Sequence, residues 1–154
     1  MEKLLQRLGY KGEGDVLVLN APQSFVQAAW PHFLKAPDTR IAGTYSLLLC
    51  FVTQRAQVEQ VKADLVRAAA RGSYLWFVYP KKTSRNYQSD LNRDLLWPLL
   101  GEEGYEPVSQ YAVDEDWSAI RFRPVGEIKS MVRQRAATQE GAARAAERRS
   151  RKEK

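Results

Sequence analysis

The sequence predicts an α/β fold of three layers around a sheet of about five strands, and three observations carry that prediction. Continuously apolar runs near residues 15–20, 45–52 and 74–79 are separated by segments of helical periodicity. That is the pattern of strands buried on both faces between crossover helices. Two later runs, Val108–Val113 and Ser118–Arg123, alternate polar and apolar residues around Asp114-Glu115-Asp116, which reads as an antiparallel hairpin closed by a tight acidic turn. A chain of 154 residues, 44% of them hydrophobic, suffices for one domain with a real core.

Each element has a local chemical reason. Leu4, Leu5 and Leu8 mark a short helix that Gly9 ends, and Gly12-Glu13-Gly14 is a turn. Asp15 to Asn20 is the first strand. Ala21-Pro22-Gln23-Ser24 opens a helix carrying Phe25, Val26 and Trp30, and Pro31 and Pro37 break up the segment before the second strand. That strand is Tyr45 to Val52. Thr53 is placed to cap a helix over 55–70, whose apolar stripe is Val58, Val61, Leu65 and Ala69 and whose stop is Gly72. Tyr74 to Tyr79 is the third strand, succeeded by Pro80 and a polar loop over 81–89. Leu91, Leu95 and Leu99 mark a last helix, kinked or restarted at Pro98 because proline cannot donate a helical hydrogen bond.

Right-handed crossovers then place helices on both faces of one sheet. The pattern resembles a Rossmann-fold methyltransferase lacking its second and third strands. That resemblance implies a Rossmann-like sheet of order 1-2-3-5-4 with the last strand antiparallel, and it transfers no activity. Four words resemble, more closely, a family of short bacterial proteins labelled a domain of unknown function. They are Leu19-Asn20-Ala21-Pro22, Tyr79-Pro80-Lys81-Lys82-Thr83-Ser84, Ser89-Asp90-Leu91-Asn92-Arg93-Asp94 and Ala112-Val113-Asp114-Glu115-Asp116-Trp117-Ser118. The resemblance covers roughly residues 1–124 and implies the fold and no established activity.

The net charge of +6 is unevenly placed. Residues 128–154 hold nine Lys and Arg against three Glu, so residues 1–127 are neutral. This divides the chain into an α/β domain over 1–127 and a basic Ala/Arg/Glu-rich tail over 128–154, helical or disordered. No apolar run spans a bilayer, and Met1-Glu2-Lys3 does not begin a signal peptide. A cytoplasmic location without membrane partners is expected. The single cysteine, Cys50, sits inside Leu47–Phe51 and reads as a buried, inert thiol.

Conventional chemistries find few residues. A dinucleotide site needs glycines directly after the first strand, where Asn20-Ala21-Pro22-Gln23 has none. Nicotinamide and S-adenosylmethionine cofactors are therefore not expected. His32 is the only histidine, so neither a His/Cys metal cluster nor a Ser-His-Asp triad is expected. An all-carboxylate Mg²⁺ site at Asp114, Glu115 and Asp116 stands against a solvated acidic turn.

Ligands in open α/β sheets bind outside the carboxyl ends of the strands. That edge should gather Asn20, Lys81, Lys82, Ser84, Asp114, Trp117 and Ser118. Two lysines, the loop hydroxyls and a helix N-terminus near Asp90 would suit an anion. Alternatively the lysines pair with the acidic turn and Trp117 packs as a lid. The tail offers Arg144, Arg148, Arg149, Arg151 and Lys152 to nucleic acid phosphates, or simply keeps the chain solvated. The expectation is a non-catalytic binding or regulatory protein that takes a small anion or a protein partner at the carboxyl edge. The alternatives are an enzyme acting on a small anionic substrate through Lys81 or Lys82 with Asp114, and a weak nucleic-acid binder using the tail.

Overall fold

In the computed structural model, which describes residues 1–128, the three apolar runs lie in parallel-paired strands. Strand β1 is Val16–Leu19, β2 Tyr45–Phe51 and β3 Ala69–Pro80. Val16 lies opposite Leu47 on one side, and Leu49 opposite Trp76 on the other. Strands β4 (Tyr105–Ala112) and β5 (Trp117–Pro124) form the hairpin, and β5 runs antiparallel to β3. The five-stranded sheet has the order β1-β2-β3-β5-β4, as the Rossmann-like reading expects.

Strand period divides the core into two halves. One face gathers Leu17, Leu48, Cys50, Phe77, Ile120 and Phe122 against helices α3 (Arg55–Ala68) and α4 (Arg93–Leu96). The other gathers Val18, Leu49, Phe51, Trp76 and Trp117 against α1 (Glu2–Arg7) and α2 (Gln23–Ala29). The Trp76 indole N–H donates to the Leu8 carbonyl at 2.7 Å and ties α1 to the sheet. Asp38 closes the outer side of β1 through backbone bonds to Val16 and Val18, and its carboxylate accepts from the buried Tyr45 hydroxyl at 2.6 Å.

Four local expectations are corrected. The cap of α3 is Gln54 rather than Thr53. Gln54 and Gln57 form a reciprocal capping box, and Gln57 Oε1 also accepts from the Thr53 amide. Gly72 does not stop α3. The helix ends at Ala68, and β3 starts at the next residue because Ala69 pairs with Tyr45. Gly72 instead supplies a positive φ of 75° inside an irregular start of β3. The last helix is a single turn, and β4 begins three residues before Val108, with a bulge between Pro107 and Ser109.

Candidate functional site

The carboxyl edge of the sheet is built by the β3–α4 loop folding onto the turn between β4 and β5. The antiparallel register sets Pro80 opposite Trp117 and Tyr79 opposite Ser118, and the Lys81 amide then donates to the Asp116 carbonyl at 2.7 Å. The Ser84 hydroxyl donates to Asp116 Oδ1 at 2.7 Å, and Asn86 Nδ2 donates to Oδ2 at 3.1 Å. Ser84 Oγ in turn accepts from the Asn86 and Tyr87 amides. Asp116 is thus the post to which the loop is tied. The sequence marked it only as one acid of a turn, since its partners lie about thirty residues away.

Asp114 has an internal task. Its Oδ1 accepts from the Asp116 and Trp117 amides at 2.8 and 2.9 Å, the Asx geometry that closes a tight turn. That corrects its expected place as a partner of the lysines. Trp117 and Ser118 do not share a surface. Consecutive strand residues point to opposite faces, so the Trp117 ring packs on Phe51 and Tyr87 at 5.2 and 4.7 Å, while Ser118 is buried on the α3 side. Trp117 is 4% exposed and belongs to the core.

Lys81 and Lys82 are half-buried and exposed respectively. Among the described residues neither forms an ion pair with the acidic turn; the neutral groups of Ser84 and Asn86 meet Asp116 instead. Asn20 ends β1 with a positive φ of 59°. It lies two strands from β3, roughly 10 Å at ordinary inter-strand spacing. Asparagine tolerates that left-handed conformation, so the β1–α2 turn is made without glycine.

Asp90 serves a different helix from the one the sequence suggests. Asp90 Oδ1 accepts from the Arg55 amide at 2.8 Å, at the first residue of α3, and the Ser89 hydroxyl donates to the Thr53 carbonyl at 2.6 Å. The Asp90 carboxylate therefore occupies the dipole-favoured position at α3, and the loop after Lys82 straps β2 to β3. Helix α4 starts later, at Arg93, under its own Asn92 cap. The sequence placed Ser89 and Asp90 at this edge without showing which helix they serve.

Burial pushes the Cys50 thiol up to about 12, so it carries no nucleophile chemistry at neutral pH. Among the described residues, no group of three His, Cys, Asp or Glu is arranged to hold a metal ion. No helix among them is long and apolar enough to cross a membrane. Arg144, Arg148, Arg149, Arg151 and Lys152 lie outside the described residues.

No protein-family model matches the chain, and no curated protein does. Among solved structures, the DhpI–SAH complex aligns with a TM-score of 0.53 at 15% identity, over 79% of this chain and 82% of that one. The ribosomal protein L11 methylase from Lactobacillus delbrueckii subsp. bulgaricus aligns with a TM-score of 0.48 at 8% identity, over 79% and 75%. LepI in complex with SAH and a substrate analogue aligns with a TM-score of 0.44 at 13% identity, over 78% and 38%. At 15% identity the likeness to the DhpI complex speaks for the fold: the chain is a five-stranded α/β sheet of Rossmann-like, methyltransferase-type topology.

Proposed function

We propose that this chain is a non-catalytic binding or regulatory protein whose anion site is the carboxyl edge at Lys81 and Lys82. One observation carries the reading. The loop is fixed by Ser84 and Asn86 on Asp116, which leaves both lysine ammonium groups out of ion pairs among the described residues. A backbone held by the Lys81 amide presents those charges at low ordering cost, which is what a small anion requires. The sequence words that resemble the short bacterial family lie along this same edge.

A second reading has its own support. The DhpI structure shares this fold and is an SAH complex, and Asn20 gives the β1–α2 turn a left-handed residue. On this reading the chain is an enzyme that binds an adenosyl ligand at Asn20. Thermal melting with pyrophosphate and with SAH separates the two, because a ligand that binds only the native state raises Tm. The proposal expects a pyrophosphate-dependent rise that disappears in Lys81→Ala/Lys82→Ala, with the unliganded Tm nearly unchanged since solvent-facing charges contribute little. A rise with SAH alone, lost in Asn20→Val, would replace it with the second reading. A double variant that unfolds readily would make the lysines structural.

A further inference from the structure

A second cationic surface lies toward the opposite end of the sheet, apart from the Lys81–Lys82 edge. It is on the α1 side, where β3, β5 and β4 carry Tyr74, Arg121, Arg123 and Tyr111. The Arg121 guanidinium lies 3.8 Å from the Tyr74 ring centroid, and Lys11 Nζ lies 5.6 Å from the same centroid. Among the described residues, Arg121 Nε is buried with no hydrogen-bond partner and its Nη2 reaches only the Ser73 carbonyl, at 3.5 Å. Burial, then the Arg123 charge, lower the Arg121 pKa from its ordinary value. Two residues apart on one strand, Arg121 and Arg123 share a face.

The acids on this side are accounted for. Glu127 accepts from the Gly72 amide at 3.0 Å, and Glu106, opposite Arg123 in the register, is buried and not without partners. Among the described residues, Lys11, Arg121 and Arg123 form no ion pair with a carboxylate. Beside them Tyr111 is 41% exposed and held at 5.7 Å from the Trp76 ring. From Arg121 to Lys154 the sequence holds eleven Lys and Arg against four Glu, so the basic bias that starts on β5 is sustained through residues 125–154.

We infer that the β4–β5 face is a docking surface for a single-stranded nucleic acid, with Arg121 and Arg123 meeting phosphates and Tyr111 stacking on a base. A row of like charges calls for a polyanion. An exposed ring fixed beside those charges is what adds affinity for unpaired bases over other polyanions. Duplex grooves are read by an inserted helix or β-ribbon, and a part-exposed sheet face presents neither.

The test is fluorescence polarisation of labelled oligo(U) RNA and oligo(dT) DNA on the full chain across a salt series, with heparin as competitor. The parent should bind both at low salt, and the ratio of the two affinities tells RNA from DNA. Tyr111→Ser should bind ~5–100-fold more weakly with an unchanged salt slope, the loss of one stacked base. Arg123→Gln should reduce the salt slope by about one. Lys35→Gln, which removes an equal charge elsewhere, should leave both quantities unchanged. Tyr111→Leu keeps the apolar contact with Trp76 and should lose stacking as Tyr111→Ser does, so the comparison survives if the serine variant folds poorly. Absence of binding at low salt overturns the inference, as does parent-like binding by the Tyr111 and Arg123 variants. Weakened binding in Arg123→Gln alone, with Tyr111 variants like the parent, overturns it too and shows a face that takes any polyanion by charge without stacking a base.

Discussion

Gly9 shows how one residue serves two levels of structure. It ends α1 with a φ of 105°, which its position after Leu8 foretells. A Cβ built there would stand 2.3 Å from the Tyr74 ring, and no local pattern announces that approach. Gly9→Ala meets strain in the left-handed region and a clash with a ring already stacked by Arg121. It should cost at least about 2 kcal/mol, read as a lower denaturant midpoint in urea unfolding. A midpoint within error of the parent would show that Tyr74 moves freely. Asn20 is the converse case. The missing glycine suggests a disabled turn, yet asparagine holds a left-handed backbone state there with a φ of 59°.

Among the elements, α3 depends on a lysine that its periodicity does not explain. Lys62 falls beside the apolar stripe of Val58 and Leu65 and is nearly buried. Its Nζ donates to the Leu99 carbonyl at 2.9 Å and lies 3.2 and 3.3 Å from the Glu59 and Glu103 carboxylates. Burial alone lowers its pKa, but the two carboxylates outweigh burial and the net direction is above 10.5. Lys62→Met would strand Glu103, whose Oε2 is already buried without a partner among the described residues. A cost of roughly 3 kcal/mol is expected, the low end for a broken buried pair because Glu59 is well exposed. A raised folded-state pKa stabilises fully below the unfolded value and ceases to do so as pH rises through the folded one. The deficit of Lys62→Met should therefore be constant near neutrality and shrink above 10.5, as measured by urea unfolding across pH. A deficit that grows with alkalinity would contradict the ion-pair account.

For the whole molecule the α1-side half of the core meets the proposed anion edge at Trp117. Its ring joins Phe51 of β2 to Tyr87 of the strap loop, so the loop bearing Lys81 is positioned by the same side chain that fills the core. Trp117→Ala should cost ~3–5 kcal/mol and also weaken pyrophosphate binding, whereas the double lysine variant should lose binding alone. Calorimetry with and without pyrophosphate reads both. Full ligand response in a destabilised Trp117→Ala would separate the loop from the core. The sequence by itself determined the strands, their hydrophobic character and the hairpin, which rest on periodicity and are local. The order of the sheet came from the resemblance to a Rossmann-fold methyltransferase, and the strand pairing bears it out. Boundaries resisted because long-range pairing decided them: β3 starts at Ala69 since Tyr45 is there to pair with it. The carboxyl edge was legible as a neighbourhood, because every parallel strand ends there. Which acid holds the loop, which face Ser118 takes and where Asp90 binds were decided only in three dimensions. Hydrogen bonds such as Ser84 to Asp116 and Asp90 to Arg55 join residues more than thirty apart, and only the packed sheet brings those groups within reach of one another.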